Sequence, residues 1–418
     1  MKFDTALREY IRQKILEIGP CDIIVGIPTY NNEETVTQVM KTVYEGLWRH
    51  YPDKKAVVFI SDGGSLDYTR ELAQKTKSDK GIPKIVAIYR GLPGKGTSLR
   101  AVFEAAVRLN VQACVVFDAD LRSITPEWVK ALIDPILREG YDFVSPFYVR
   151  HKYDATITNN IAYSLTRALY GKRVRQPIGG DFGFSRRLIE FFNKEYVWET
   201  DVAKFGVDIW MTTLALNEGF KVCEAYLGTK VHDPKDPSAS LGPMFRQVVG
   251  TLFGMMSKYE HIWRRVRGSV PVPLLGTPFA AEPPPIEVDL LRLINNFQVG
   301  LNHFGSLWRE IVHPDTFSAL TKMSEQTQDG FYMPAEVWVH TIYDFAYTYS
   351  RWAKDRYKLV ELMTPLYYGR VASFILETKD MTTQEADEKV VERQAELFEN
   401  EKRYLLERMG LWEAVELS

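Results

Sequence analysis

Residues 111–120 read VQACVVFDAD, seven positions suited to a buried strand followed at once by two carboxylates. Val111 to Phe117 carries no charge and is apolar enough to be covered on both faces, as strands of parallel sheets are. The same kind of run recurs upstream, in Asp22–Pro28 (DIIVGIP), Lys55–Ser61 (KAVVFIS) and Lys84–Tyr89. Helical stretches separate these strands: Glu33–His50, with Val36, Val39, Met40, Val43 and Leu47 at helical spacing, then Asp67–Lys77 and Gly96–Leu109. Such alternation predicts an α/β fold, a mostly parallel, Rossmann-like sheet flanked by helices. Ligands of such sheets gather at the carboxyl ends of the strands, which is where Asp118 and Asp120 fall.

The rest of the chain divides around this unit. A charged amphipathic helix is expected at about 4–18, inside an α/β domain spanning 1–267. Residues 268–286 hold six of the 21 prolines and read as an extended connector. From 287 to 418 the pattern is helical only, as in Val288–Val312, Pro334–Lys354 and the charged run from Thr383 to about Met409. That predicts an all-α C-terminal domain, a candidate for homo-oligomer contacts. With 418 residues, 45% hydrophobic and 25% charged, the chain is neither disordered, fibrous nor a disulfide scaffold. A net charge of −2 gives no reason to expect nucleic acid as partner. No apolar window suits a membrane span, and the first residues lack an apolar signal core, so a cytoplasmic protein is expected. Cys21, Cys114 and Cys223 fit no metal or redox spacing.

Chemistry concentrates in the loops after the strands. Two carboxylates ending a buried strand are costly unless a cation or donors compensate them. Asp-x-Asp in that place suits Mg²⁺ or Mn²⁺ on one carboxylate and a sugar on the other. The first strand runs into PTYNNEETV (28–36), explicable as a turn with Asn32 capping a helix. The second ends in DGGSLD (62–67), another glycine turn. Gly91–Gly96 (GLPGKG) precedes a helix start, where glycine N–H groups and Lys95 would meet an anion.

The order PTYNNEETV, SDGGSLD, GLPGKG and FDAD resembles the GT-A class of nucleotide-sugar glycosyltransferases. Within it the sequence most resembles the retaining synthases of mannosylglycerate, glucosylglycerate and glucosyl-3-phosphoglycerate, chiefly through PGKG at 93–96. The order continues with Arg150 and DATIT (154–158), QPIGGD (176–181), GVD (206–208) and VH (231–232). The resemblance spans roughly residues 21–250. It implies a GT-A fold and a metal-dependent hexosyltransferase making a compatible solute or its precursor. The implied donor is UDP-glucose or GDP-mannose and the implied acceptor glycerate or 3-phosphoglycerate. Pro28, Tyr30, Glu33 and Asp62 would frame the base and ribose, with Lys95 close to the nucleotide. Asp120 and His232 would hold Mg²⁺ or Mn²⁺, and Asp118 would support the site or the donor sugar. Arg150 and Thr158 would meet the acceptor carboxylate, with Gln176, Pro177, Gly179 and Gly180 lining the sugar and acceptor pocket. Asp208 is the expected contact to the acceptor hydroxyl, and Asp118 and Asp208 are the catalytic candidates. The stretch TNNIAY (158–163) departs from the glycine-rich, arginine-bearing loop of the phosphoglycerate users, which shifts the expectation towards glycerate. Rival readings are an inverting family-2-like transferase acting on lipid or polysaccharide, a nucleotidyltransferase, and a non-catalytic oligomerising scaffold.

Overall fold

The computed structural model describes residues 3–232, 242–278 and 280–412. Along these the chain runs α1 (Glu9–Ile18), β1 (Ile23–Thr29), α2 (Val36–His50), β2 (Ala56–Asp62), α3 (Thr69–Lys75), β3 (Lys84–Ile88), α4 (Lys95–Arg108) and β4 (Ala113–Val116). It continues with α5 (Pro126–Glu139), β5 (Phe143–Val149), α6 (Tyr163–Tyr170), β6 (Lys172–Arg173), β7 (Phe182–Ser185), α7 (Arg186–Phe192), α8 (Val207–Asn217) and β8 (Val222–Thr229). After α9 (Gly242–Lys258) and α10 (Glu260–Trp263) come β9 (Val270–Pro271) and β10 (Leu274–Leu275), and then helices only.

The chain groups into two units. The first comprises Met1–Val149, Arg175–Asp233 and Val272–Pro283. It holds an eight-stranded sheet of order β10-β8-β5-β7-β4-β1-β2-β3. β7 runs antiparallel to β4 and β5, and the other neighbours are parallel. The expected mostly parallel sheet is therefore present, each upstream strand lying within two residues of its expected bounds. Ile23, Val25 and Ile27 of β1 share one apolar cluster with Val36, Val39 and Val43 of α2 and with Trp128, Val129 and Leu132 of α5. On the opposite face Val102 of α4 lies so close that a Cβ on Gly26 would come within 2.6 Å of it. Helices thus cover β1 on both faces, which is why its sequence is a continuous apolar run.

The second unit comprises Arg150–Val174, Pro234–Pro271 and Pro284–Ser418. This differs from a boundary at 267/268, for a physical reason. Residues 155–170 are buried almost without interruption, so the π-helical turn Thr158–Ala162 and α6 need cover on every side. The helix Glu392–Asn400 supplies part of it: Arg167, 2% exposed, pairs with Glu392 (2.6 Å) and Glu399 (2.5 Å). Trp338 Nε1 likewise donates to Asn160 O at 2.7 Å. Within the proline-rich stretch β9 pairs with β6 in this unit, whereas β10 pairs with β8 in the first. Other expectations shift in detail. The first helix begins at Glu9 rather than 4, and the run 383–409 is broken into Thr383–Ala386, a π-helical turn, Glu392–Asn400 and Lys402–Arg408. Among the described residues no helix is long and apolar enough to cross a membrane.

Candidate functional site

The carboxyl edge of the first unit's sheet carries the site. After β1 and β2 the chain forms two loops stapled together. Asn31 Oδ1 accepts from Leu66 N (2.9 Å), Asn31 N donates to Ser65 Oγ (2.9 Å), and Tyr68 N donates to Glu33 Oε2 (2.9 Å). Asn32 does not cap α2: its Oδ1 accepts the Tyr30 N–H (2.8 Å), and Thr35 holds the N-cap position. Asp62 is fully buried. Its Oδ1 accepts from Gly64 N (2.8 Å) and Ser65 N (2.9 Å), and its Oδ2 from Thr29 Oγ1 (3.0 Å) and Ser65 Oγ (2.6 Å). These four donors fix the Asp62 carboxylate within the loop. Pro28, at the end of β1, and Tyr30, 60% exposed, remain on the rim.

The glycines of GLPGKG have a different cause from the anion cradle expected of them. A Cβ on Gly96 would come within 1.7 Å of Val202 O, and one on Gly94 within 2.5 Å of Ala203 O. Gly96 N donates to Lys204 O (3.2 Å) and Gly94 N to the Tyr89 hydroxyl (2.9 Å), so both N–H groups are already used. Gly94 and Gly96 are required because residues 202–204, leading into α8, lie directly on them, whereas a Cβ on Gly91 would meet Thr97 (2.6 Å). Lys95, the first residue of α4, points inward to Asp118 Oδ1 (2.8 Å) and Asp208 Oδ2 (3.3 Å).

Asp118 is held on every side. Besides Lys95, its Oδ2 meets Lys230 Nζ (3.1 Å) and its N–H donates to Asp181 Oδ1 (2.9 Å). Gly180, at φ 95°, lies so near that a Cβ would fall 2.1 Å from Asp118 Oδ2, which only glycine avoids. Burial would raise the Asp118 carboxyl, but Lys95 and Lys230 outweigh it and hold the group well below the ordinary carboxylate range. Burial would lower Lys95, and Asp118 and Asp208 reverse that, keeping it firmly charged. Asp208 goes the other way, raised by burial and by the Asp118 charge against the pull of Lys95. Its Oδ1 is buried with no hydrogen-bond partner. Gln176, 2% exposed, likewise keeps an unpartnered buried Oε1. Pro177 O accepts from Thr212 Oγ1 of α8 (2.8 Å), and Gly179 packs against Pro146.

Asp120 and His232 approach to 4.0 Å, Oδ2 to Nδ1. A small divalent ion about 2.1 Å from each donor spans separations up to about 4.2 Å, so the pair fits one ion. Among the described residues no group of three His, Cys, Asp or Glu could hold a metal. Water and substrate oxygens can complete the shell of such an ion. Arg150 and Thr158 belong to the second unit, where Arg150 Nε pairs with Asp154 Oδ2 (2.8 Å) and Thr158 is 1% exposed. Sequence reasoning missed Lys230, Tyr148 and the role of Asp181. Lys230 sits two places before His232 as Asp118 sits before Asp120, the one signal that was available.

Residues 24–193 match the family model described as Glycosyl transferase family 2. The matched span lies mostly in the first unit and takes in 150–174 of the second. No curated protein matches the chain. Among solved structures, glucosyl-3-phosphoglycerate synthase from Mycobacterium tuberculosis with Mg²⁺ and UDP is 26% identical, covering 58% of this chain and 83% of that one at a TM-score of 0.45. The same enzyme with Mn²⁺, UDP and glucosyl-3-phosphoglycerate is 25% identical, covering 60% and 85% at 0.46. The form with Mn²⁺, UDP-glucose and glycerol 3-phosphate is 25% identical, covering 60% and 84% at 0.43. The sheet with its flanking helices is the mostly parallel, Rossmann-like arrangement expected from the sequence, and the family match weighs against the scaffold reading as sole function.

Proposed function

We propose that this protein is a divalent-metal-dependent hexosyltransferase that moves glucose or mannose from UDP-glucose or GDP-mannose to a small hydroxy acid, glycerate or 3-phosphoglycerate. The observation that carries the reading is Asp208: a buried carboxyl with one oxygen on Lys95 and the other unpartnered, beside a clamped Asp118, within a glycosyltransferase domain. An unpartnered buried acceptor is costly, and a hydroxyl of the acceptor or sugar would satisfy it. Lys95 orients Asp208 while neutralising Asp118, so two carboxylates stay close without repelling the substrate further. Gln176 Oε1 offers a second buried acceptor for a sugar hydroxyl. Asp120 and His232 would hold Mg²⁺ or Mn²⁺; such an ion stabilises the negative charge of a departing diphosphate. On a retaining course Asp208 positions the attacking hydroxyl and the leaving phosphate oxygen takes its proton.

A second reading is inversion with Asp208 as general base, favoured by its raised pKa. The anomeric configuration of the product by NMR separates the two. The founding test is thermal shift with UDP-glucose, GDP-mannose, UDP and GDP, each with Mn²⁺ and with EDTA, followed by nucleotide release with glycerate or 3-phosphoglycerate. Metal-dependent stabilisation by one nucleotide family is expected. No shift and no release with any pair would sink the reading.

A further inference from the structure

Segments flanking four strands of the first unit's sheet meet at one buried ammonium. Lys230, directly after β8, has a side chain 2% exposed. Its Nζ faces four oxygens: Asp181 Oδ2 (2.8 Å), Gly179 O (3.0 Å), Asp118 Oδ2 (3.1 Å) and the Tyr148 hydroxyl (3.2 Å). An ammonium has three N–H groups, so these protein oxygens can occupy all of them. The partners come from the end of β4 (Asp118), the end of β5 (Tyr148) and the turn into β7 (Gly179, Asp181). Asp181 also accepts from the Tyr148 hydroxyl (2.8 Å) and from Asp118 N (2.9 Å).

Two residues further along, the same two segments carry Asp120 and His232. In the sheet β4 and β8 are not neighbours; β7 and β5 lie between them, so no strand ladder fixes one end against the other. Beyond the strands the backbone contributes one isolated bridge, Leu121 to His232, and the Arg122 N–H to Val231 O bond (2.9 Å). The Val231 N–H to Ser123 Oγ bond (2.9 Å) and the buried ion pairs of Lys230 supply the rest. The geometry points to Lys230 and Asp181 as positioning residues that hold the Asp118–Asp120 turn against the Lys230–His232 segment at metal-binding separation. This rests on the reading of Asp120 and His232 as metal ligands. Without the ammonium, Asp181 loses its lysine partner and Asp118 keeps only Lys95, so the two carboxylates repel, and a shift of about 1 Å is enough to misplace ligands.

The test is Mn²⁺ binding followed by electron paramagnetic resonance with saturating UDP or GDP. Lys230→Met is expected to weaken Mn²⁺ ten- to a hundredfold, as lost outer-shell support does. Adding Asp181→Asn, which removes one of the opposed charges, should recover part of that loss. Lys230→Met binding Mn²⁺ like wild type overturns the proposal alone, and so does a loss that the double variant does not recover, since that marks general destabilisation. Wild-type protein that binds no Mn²⁺ with either nucleotide overturns the metal reading and this proposal with it. Should Lys230→Met not fold, Tyr148→Phe removes only one hydroxyl from the bracket; a drop of about threefold supports the role, and an unchanged affinity overturns it.

Discussion

Asp208 shows what a single residue is kept for. A carboxyl buried with one oxygen unpartnered lowers stability, and its pKa is raised accordingly. Asp208→Asn keeps the shape and removes the charge, so the melting temperature at pH 7.5 should rise by roughly 1–3 °C. Sugar transfer should fall at least a hundredfold in kcat, with donor KM little changed. A variant that gains stability and keeps its turnover would take Asp208 out of the chemistry. Gly180 makes the opposite case. Gly180→Ala combines an unfavourable φ with a clash on Asp118 Oδ2, so lower stability and lost transfer are expected together, read by differential scanning calorimetry and nucleotide release.

At the scale of elements, the segment before α8 and the loop before α4 constrain one another. Residues 202–204 occupy the space that glycine leaves at 94 and 96, and the two helices that follow present Asp208 and Lys95 to each other. Gly96→Ala should therefore uncouple that pair; the expected signature is a kcat loss of roughly tenfold or more with nucleotide affinity retained. In the second unit, Lys402 does for helix ends what caps do elsewhere. Its Nζ donates to Ala168 O (2.9 Å) and Val266 O (2.9 Å), and to Trp263 O (2.6 Å), which also accepts the Val266 N–H (3.1 Å), all where helical segments stop. Lys402→Ala would strand Ala168 O and Val266 O, and a loss of roughly 2 kcal/mol in urea unfolding is expected. A loss below about 0.5 kcal/mol would mean water replaces the ammonium.

For the molecule as a whole, the pH profile and the chain's path lead to separate tests. Glu224 in β8 is buried, and burial pushes its carboxyl up to about 8 against the Arg175 N–H bond (2.6 Å) and charge. The unfolded chain loses that proton near an ordinary pKa of about 4.3, whereas the folded protein keeps it. The corresponding stability is whole below the unfolded pKa and is lost as pH rises through about 8. Glu224→Gln should melt close to wild type at pH 5 and about 2–4 °C above it at pH 8.5, read by scanning fluorimetry; a constant offset would place the titration elsewhere. The two units alternate along the chain, so a cut at the proline-rich stretch does not free a domain. Fragment 1–267 would keep the buried run 155–170 without Glu392, Glu399 and Trp338. It should aggregate or be digested from 150 onward in limited proteolysis, where an independent domain would survive.

Sequence alone determined the sheet's parallel strands and the edge where function gathers, because buried strands and helix faces leave local patterns of apolar residues. Asp118 and Asp120 stood out as charges directly after a buried strand, whereas Asp208 was named only through the resemblance. The tertiary structure decided what local pattern cannot carry. Lys230, Tyr148 and Asp181 lie far apart in sequence and meet only because β5 and β7 are inserted between β8 and β4. The glycines of PGKG answer to residues more than a hundred positions later, and 150–174 joins helices at the far end of the chain. A buried ion-pair network and a close backbone approach are properties of spatial neighbours, and their cause lies in chain topology, to which no window of sequence has access.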